Sequence, residues 1–418
     1  MPKKIIITMI HHQRVKSKVT TKTPSGPLAG IKVIDCSTIV AAPTCSQLLG
    51  DYGADVIKVE SPAGDEGRKL STKNKDGIST HFLGLNRNKR SIGLDLNSEK
   101  GREVLLDLLK DADVFLENFK PGTLEKWGIG YEELLKERFP QLIYCRISGF
   151  GADGPLGGLP GYDAVAQAFS GIMSFSGEPD GDPLRVCLNV VDTATGLYAH
   201  GAIGMALLER HQSGKGQLLD LSLYDTAFSL MHPFASTWIN SGVSPARMGS
   251  RHPNAAPYDV YPVADGHVLL CTVNNLQFSR LCSLLDCTTL TEDPRFCDNN
   301  SRLANADALS EILINQLTTQ EKLPFAIACL EAGIAVGPVL SVEEALNHPH
   351  AATRQVILEK DNYKAINNPV KLSRTPTQLH RKPCHYGEHN DEILKEIGLT
   401  SSQITALKEQ GILFDEPT

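Results

Sequence analysis

The first half of the chain alternates short apolar segments with amphipathic ones, and this alternation constrains the fold more than any other feature. Ile31–Asp35 and Val56–Glu60 are typical of strands, and Ala41–Tyr52 between them has the pattern of a helix with Pro43 in its first turn. A strand, a short helix and a second strand in this order predict a βαβ unit with parallel strands. The same pattern predicts further strands at Ser91–Leu94, Val114–Glu117 and Leu142–Ser148. We therefore predict an α/β fold with a doubly wound, parallel-sheet large domain.

The pattern changes in the second half of the chain. Ala256–Val263 and His267–Val273 flank an Asp-Gly turn and predict a β-hairpin, and helical segments follow it. These elements predict a second, smaller α+β domain. The predicted organisation is a basic N-terminal extension at 1–26, a large domain at 27–224 to which 345–418 returns, linkers at 225–249 and 331–344, and a small domain at 250–330.

Charge is unevenly distributed along the chain. The seven charged residues before Asp35 are all basic, whereas the whole chain of 418 residues has a net charge of −7. This balance gives no global attraction for nucleic acid, and no apolar run reaches the roughly 18 residues that a membrane-spanning helix needs. We therefore predict neither a nucleic-acid partner nor a membrane association. We read the basic leader as an extension of a cytoplasmic protein, with a transit peptide to the mitochondrial matrix as the alternative.

Cysteine usage and simple nucleotide motifs exclude several classes of protein. The ten cysteines form no CxxC pair, which is typical of a reducing compartment, and we predict no metal site. Gly149, Gly151 and Gly154 match GxGxxG, but a dinucleotide site needs a helix that opens on the last glycine. Pro155 follows instead, so we predict a loop and no dehydrogenase.

Asp192 is the acid that the residues alone most favour for chemistry. It follows a predicted strand, Leu184–Val191, and precedes a long predicted helix, Thr193–His211. Because α/β sheets bind ligands at the carboxyl ends of strands, a carboxylate there is suited to nucleophilic attack on an activated acyl group. Asp is also a favoured N-cap residue, and spacing alone supports that structural role equally well.

An ordered set of motifs adds what spacing alone does not provide. In chain order they are LAGIKVID at 28–35, AP at 42–43, LGDYGADVIKVE at 49–60, NRNKRSI at 86–92, DVFLENFKPG at 113–122, GYD at 161–163, QA at 167–168, DTATG at 192–196, GKGQ at 214–217 and GEH at 387–389. With these motifs the chain resembles the class III CoA-transferases, the family of formyl-CoA transferase and carnitine CoA-transferase. The resemblance runs from about residue 27 to the C-terminus.

The resemblance implies a reaction, a nucleophile and an assembly. Asp192 occupies the family's nucleophile position, where the carboxylate would form an aspartyl anhydride and then an aspartyl-CoA thioester. CoA would be part of the substrate, with acyl-CoA and a carboxylic acid as partners and no prosthetic group. The family's interlocked homodimer is the implied assembly.

The resemblance also implies which residues contact CoA. The matching positions are Thr38, Ile39, Val40 and Ala41 along the pantetheine, with Leu94, Asn97, Asn118, Phe119, Lys120, Lys126, Tyr162 and Asp163 elsewhere on the cofactor. Lys126 stands where some members have arginine, so it would meet phosphate as a point charge rather than as a fork.

The acceptor acid is constrained less sharply. Arg247, Arg251 and His252 are candidates for a second carboxylate, since a guanidinium matches a carboxylate bidentately, although loop arginines on the surface have the same pattern. Val40 replaces a glutamine of formyl-CoA transferase, and that enzyme's glycine-rich loop is missing here, which argues against formate and oxalate. The pattern resembles members that use succinyl-CoA and C4–C6 dicarboxylates.

Two other functions fit the same resemblance. The α-methylacyl-CoA racemases share the fold, but they have histidine before the aspartate where this chain has Tyr162 and Asp163. A tyrosine with an ordinary pKa of about 10 is too weak an acid for easy proton exchange at neutral pH, which favours the transferase. The other alternative is a non-catalytic CoA-binding protein.

Overall fold

The computed structural model describes residues 25–73 and 77–418, so the predicted extension at 1–26 lies almost wholly outside the described residues. The strands are β1 (Lys32–Cys36), β2 (Asp55–Glu60), β3 (Lys89–Leu94), β4 (Val114–Glu117), β5 (Ile143–Ser148), β6 (Leu218–Ser222), β7 (Tyr258–Val263), β8 (Gly266–Cys271), β9 (Ala335–Pro338), β10 (Ile357–Lys360), β11 (Tyr363–Ile366) and β12 (Leu413–Phe414). The helices of the first half are α1 (Ala41–Asp51), α2 (Thr80–Leu85), α3 (Glu99–Leu109), α4 (Thr123–Lys126), α5 (Lys136–Arg138), α6 (Asp163–Ser170), α7 (Ile172–Phe175) and α8 (Val190–Ser213). Those that follow are α9 (Leu223–Leu230), α10 (Phe234–Ser241), α11 (Asn275–Leu284), α12 (Asn299–Ala304), α13 (Ala306–Leu317), α14 (Lys322–Glu331), α15 (Val342–Asn347), α16 (Pro349–Thr353), α17 (Asn390–Glu396) and α18 (Ser401–Glu409).

The large sheet has seven strands in the order β12-β3-β2-β1-β4-β5-β6. All neighbouring strands in it are parallel except β12, which pairs antiparallel with β3 at the edge. The chain winds from β1 to β3 in one direction and from β4 to β6 in the other. The topological switch point therefore lies between β1 and β4, where their carboxyl ends leave a crevice.

Apolar residues cover both faces of this sheet, which confirms the predicted doubly wound fold. Along β1, Val33 packs into the core under α1, α6 and α8, whereas Ile34 packs into the opposite core under α3, α17 and α18. Both side chains are fully buried. This alternation follows from the period of two along a strand, which sends successive side chains to opposite faces.

A separate three-stranded antiparallel sheet, in the order β7-β8-β9, belongs to the smaller unit of the chain. The predicted hairpin is confirmed by the pairing of β7 with β8, whose turn joins Val263 to Gly266. The core of this unit combines Val268 and Leu270 of β8 with residues of α11, α13 and α14. The smaller α+β unit is thus present as predicted.

The two segments predicted as linkers contain regular structure. Residues 225–249 hold most of α9 and all of α10, and residues 331–344 hold β9, which pairs with β8. Gly333 ends α14 in a left-handed conformation, and the strand begins two residues later. The division of the chain into domains and linkers stays a prediction.

The strand predicted at Leu184–Val191 is absent, and this prediction was wrong. Residues 184–189 form no regular element and are exposed, and α8 begins at Val190. The N–H and C=O groups of Val186 both pair with the side chain of Gln167 on α6, so this segment is held against a helix and not against the edge strand β6. Asp192 therefore lies in the first turn of α8 and not at the end of a strand.

The glycines of the loop after β5 allow a close backbone approach rather than forming a dinucleotide site. Gly149 and Gly161 approach each other so closely that a Cβ on Gly149 would lie 2.6 Å from Cα of Gly161. The two ends of the loop between Gly149 and Gly161 are therefore in direct backbone contact. The predicted absence of a helix on Gly154 is confirmed.

Candidate active site

A cavity of about 280 Å³ opens at the switch point of the large sheet. Its walls come from the segments that follow β1, β4 and β5, as the rule for open α/β sheets leads one to expect. The lining residues are Thr38, Ile39, Val40, Ala41, Glu66, Asn118, Phe119, Lys120, Pro121, Ile147, Ser148, Gly149, Leu159, Pro160, Gly161, Tyr162, Asp192 and Leu223.

Asp192 enters this cavity from the first turn of α8. Helix α8 packs closely on α1, because Gly196 has no side chain where a Cβ would lie 2.5 Å from the carbonyl oxygen of Ala41. The absence of a side chain at Gly196 thus allows the two helices to approach closely at this position. This close approach places the start of α1 and the start of α8 on the same cavity.

Asp163 performs the capping role that the sequence left open for Asp192. One carboxylate oxygen of Asp163 accepts hydrogen bonds from the backbone N–H groups of Val191 (2.8 Å) and Asp192 (3.1 Å). The N-cap position itself, Asn189, makes no side-chain cap. Two first-turn donors of α8 are thus satisfied from α6, without use of the Asp192 carboxylate as a cap.

Gln167, one turn further along α6, holds Asp163 in place. Its side-chain amide donates to the other carboxylate oxygen of Asp163, and its amide oxygen accepts from the backbone N–H of Val186 at 2.9 Å. Gln167 is fully buried. The same side chain therefore fixes both the capping acid and the segment that leads into α8.

Asp192 has an unusual electrostatic environment. Burial raises its pKa to about 7, and the nearby negative charge of Asp163 adds to this effect. Among the described residues, no basic side chain forms an ion pair with either acid. A desolvated carboxylate without a cation is poorly stabilised, which makes it a more reactive nucleophile towards an electrophilic carbonyl once it is ionised.

Two loops that were predicted to contact CoA are joined to each other. The side chain of Asn118 accepts from the backbone N–H of Thr38 (3.0 Å) and donates to the carbonyl of Thr38 (2.9 Å). The segment after β1 and the segment after β4 thus form one wall. Lys120 is exposed at the edge of this wall, where a cation is accessible to a phosphate.

The structure brings most of the predicted site residues together. Those on the cavity are Thr38, Ile39, Val40, Ala41, Asn118, Phe119, Lys120, Tyr162 and Asp192. Asp163 lies directly behind them through its bonds to α8.

Three residues predicted to contact CoA do not line this cavity. Leu94 is fully buried in β3, where it pairs with Leu413 of β12. Asn97 and Lys126 are exposed elsewhere on the surface. The CoA-contact role of these three residues stays a prediction.

The three predicted acceptor contacts are also absent from the lining of the Asp192 cavity. Arg251 and His252 line a separate cavity of about 270 Å³ in the small unit, where Arg251 pairs with Asp259 (3.1 Å) and Asp307 (2.7 Å). Arg247 donates to the backbone carbonyls of Ser174 and Glu178. Within the chain as described, these two arginines already have partners, and the role of all three residues towards a substrate stays a prediction.

One buried acid at the site was missed by sequence reasoning. Glu117 ends β4, and its carboxylate accepts from the hydroxyl of Tyr144 (2.7 Å) and the backbone N–H of Phe119 (2.6 Å). Burial raises its pKa to about 7, although these hydrogen bonds act in the opposite direction. The FLEN sequence showed an acid at a strand exit, but only the fold reveals that it supports the loop that lines the cavity.

The described residues carry no sign of a metal centre or a membrane span. No group of three His, Cys, Asp or Glu side chains within residues 25–73 and 77–418 is arranged to hold a metal ion. In the same part of the chain, no helix combines the length and the apolar character needed to cross a bilayer.

Comparison with known proteins places the chain in a family of enzymes. Residues 28–390 match the family described as CoA-transferase family III. The chain belongs to this family, and it is a CoA-transferase of class III.

Relatives and a solved structure agree with this assignment. The chain is 39% identical to an acyl-CoA transferase of Fusarium pseudograminearum, over 94% of this chain and 90% of the relative. It is 36% identical to the succinate–glutarate CoA-transferase of Agrobacterium fabrum, over 89% and 96% of the two chains. A CAIB/BAIF family protein of Brucella suis has a similar structure, with a TM-score of 0.83, 37% identity and coverage of 89% of this chain and 100% of the other.

Proposed function

We propose that the enzyme transfers CoA from succinyl-CoA to a C4–C6 dicarboxylate, with Asp192 as the nucleophile. The observation that carries this proposal is the position of the Asp192 carboxylate on the cavity formed by Thr38–Ala41 and Asn118–Lys120. The names of several relatives support the substrate class. They include succinyl-CoA:glutarate CoA-transferase of Homo sapiens at 33% identity and succinyl-CoA:mesaconate CoA-transferase of Haloarcula hispanica at 35%.

In the first half of the proposed reaction, succinate leaves and CoA stays on the enzyme. The Asp192 carboxylate attacks the thioester carbonyl, the C–S bond breaks, and a mixed anhydride and CoA thiolate form. The thiolate then attacks the aspartyl carbonyl, and succinate leaves as a carboxylate. The second half reverses these steps with the acceptor acid. Because one thioester is exchanged for another, the reaction needs neither ATP nor a prosthetic group.

Backbone donors at the start of α1 are suited to the charge that develops in each step. Val40 is the N-cap of α1 and makes no side-chain cap, and the N–H groups of Ala41 and Ala42 have no partner within the helix because they lie in its first turn. Preorganised N–H groups of this kind stabilise a tetrahedral oxyanion, and removal of one such donor costs roughly 10²–10³-fold in rate in other enzymes.

The acceptor class is tested with a panel of acids. With succinyl-CoA as donor, glutarate and unsaturated or branched C4–C6 diacids are expected to accept CoA, and monocarboxylates of the same length are the matched controls. Transfer to monocarboxylates alone would contradict the dicarboxylate assignment. Deuterium incorporation at the α-carbon of an acyl-CoA without any acceptor would instead support a racemase.

The second part of the proposal is a homodimer. Helix α8 exposes Leu197, Tyr198, Met205 and Leu208, and α10 exposes Trp238 and Ile239. Such a set of large apolar side chains marks an interaction surface. Sedimentation is expected to give twice the chain mass of 45.4 kDa. Met205→Glu is expected to weaken the dimer and Lys215→Glu, an exposed control beyond the end of α8, to leave it intact; a monomeric wild type would contradict this part.

A further inference from the structure

Ile39, on the wall of the Asp192 cavity, has a backbone conformation that its side chain disfavours. Its φ angle is +74°, in the left-handed region. The other non-glycine residues with positive φ in the described chain are polar: Ser71, Asn88, Asp286, Gln355, Asp361 and Asn362. A β-branched residue is a genuine outlier there, because its Cβ substituents crowd the backbone. Such strain persists only where surrounding contacts hold it, and it is concentrated at functional sites.

Two side chains from other elements hold the backbone of Ile39 on both sides. The carboxylate of Asp65 accepts from the N–H of Ile39 at 3.2 Å. The Nε2 atom of His81, in the first turn of α2, donates to the carbonyl of Ile39 at 3.3 Å. Asp65 and His81 form what we call the Ile39 brace.

The Asp65 half of the brace is rigidly fixed. Asp65 forms an ion pair with Lys58 at 2.7 Å, and both side chains are fully buried. Lys58 in turn donates to the carbonyl of Ser37 at 2.6 Å, two residues before Ile39. The acid also accepts from the backbone N–H of Gly67 at 2.8 Å. The segments after β1 and β2 are therefore locked to each other around Ile39.

The position of Ile39 gives this brace a consequence for the site. Val40 follows Ile39 as the N-cap of α1, and Ala41 is the first residue of the helix. All three line the cavity with Asp192. A change of φ at Ile39 rotates the following peptide and with it the start of α1.

We propose that Ile39 is a positioning residue, held in its left-handed conformation by Asp65 and His81 so that the first turn of α1 faces Asp192 across the cavity. This inference rests on the proposed function for its effect on turnover, whereas the strain itself is independent of the reaction. The brace acts through the backbone, so the side chain of Ile39 has no chemical role.

The strain is tested by melting two variants at one position. In an ordinary backbone, alanine is more stable than glycine. At a left-handed position the order reverses, and Ile39→Gly is expected to melt roughly 1–3 °C above Ile39→Ala. Ile39→Ala melting above Ile39→Gly would overturn the proposal.

The brace is tested by a double-mutant cycle with His81. Without His81 the wild-type backbone at Ile39 can relax and recover its strain energy, whereas glycine has no strain to recover. His81→Ala is therefore expected to lower the melting temperature less in the wild-type chain than in the Ile39→Gly variant. Equal losses in the two backgrounds would show that His81 does not restrain Ile39. His81 is half-buried and takes no part in the buried ion pair between Lys58 and Asp65. Its substitution therefore tests the brace while that ion pair stays in place.

Turnover is measured as exchange of label between succinyl-CoA and ¹³C-succinate, which needs no knowledge of the acceptor. His81→Ala is expected to lower kcat roughly 10-fold, with the KM for succinyl-CoA changed less than about 2-fold, since misplacement of the reacting groups acts on the chemical step. His81→Gln, which keeps a donor, is expected to restore most of kcat. A loss confined to KM, or no rescue by glutamine, would contradict the positioning role.

The two proposals fail in different ways. A wild type that exchanges no label would contradict the proposed function. The order of the two Ile39 variants and the His81 melting cycle would then still decide whether the brace exists.

Discussion

Asp35 and Asp192 both lie beside the cleft of the large sheet, in opposite surroundings. Burial alone would raise the pKa of Asp35, but the cations of Lys89 and Lys58 and two serine hydroxyls outweigh it and lower that pKa. Asp192 is also desolvated, yet the charge that acts on it is that of another acid, Asp163, and its pKa rises to about 7. The cost of burying the carboxylate is thus compensated by cations and hydroxyls at Asp35, whereas at Asp192 it is not.

Other buried acids of the large domain are also paired with cations. Asp51 is bound through both oxygens by Arg87, Glu60 by Arg68, and Asp65 by Lys58. These pairs join β2, β3 and their exits around the segments that line the cavity. The paired acids thus fix the fold, whereas Asp192, where chemistry is proposed, forms no ion pair within the described part of the chain. Glu117 is held by the hydroxyl of Tyr144 and the N–H of Phe119 rather than by a cation, so the lack of an ion pair alone does not mark a reactive acid.

The largest expected effect comes from neutralising the unpaired acid. Asp192→Asn is expected to lower CoA transfer roughly 10⁴-fold or more, because an amide is a poor nucleophile. Its melting temperature is not expected to fall, since no cation loses a partner. Asp182→Asn, an exposed aspartate ten residues earlier, is the matched control and should retain activity. Residual transfer near the wild-type rate would remove Asp192 from the mechanism.

The second effect breaks a paired acid instead. Arg87→Met leaves the buried carboxylate of Asp51 without its cation, and we expect a loss of about 3–5 kcal/mol in the free energy of unfolding. Denaturation in urea measures it. Lys100→Met removes an exposed pair with Glu103 and should leave the free energy of unfolding almost unchanged, because solvent screens that pair. Similar losses for both variants would mean that burial does not distinguish the pairs.

The third effect is the pH dependence of stability at Asp192. Because the folded-state pKa of about 7 exceeds the ordinary value of 3.8, the folded protein binds the extra proton between these values, and its stability falls as pH rises from about 4 to about 7. Relative to Asp192→Asn, the wild type is expected to lose on the order of 1–2 kcal/mol over this range, with allowance for partial exposure. Urea titrations of both proteins at several pH values check this. A difference that does not change with pH would contradict the raised pKa.

The smallest effect concerns the neighbouring acid. Asp163→Asn removes the negative charge beside Asp192 and should lower the apparent pKa in the pH profile of kcat/KM by roughly 0.5–1 unit. Burial would still hold this pKa above its ordinary value. Asp182→Asn should leave the profile unchanged. A shift towards higher pH would show that Asp163 stabilises the ionised form of Asp192.

Much of the fold could be predicted because its signals are local. The βαβ pattern from Ile31 to Glu60 and the Asp-Gly hairpin each lie within a short stretch, and both are present. The polar residues after β1 and β4 could be grouped because parallel strands end at the same edge of a sheet. The two hydrogen bonds between the side chain of Asn118 and the backbone of Thr38 show that these two segments do meet.

The rest depends on contacts between distant parts of the chain. Residues 184–189 are apolar enough for a strand, but the backbone of Val186 pairs with the side chain of Gln167 instead of with a strand. The hydrogen bonds by which Asp163 caps α8 span 28 and 29 residues of sequence. Those of the Ile39 brace span 26 residues for Asp65 and 42 residues for His81. No local sequence pattern predicts such contacts. Spacing alone therefore could not decide whether Asp192 is a helix cap or a nucleophile.

The most direct test of the central claim is chemical trapping on Asp192. The enzyme is incubated with succinyl-CoA and hydroxylamine, and the protein is analysed by intact mass and peptide mapping, with Asp192→Ala as the control. The account predicts an aspartyl hydroxamate at Asp192 that depends on succinyl-CoA and is absent from the variant. No adduct, or an adduct on another acid, would contradict it.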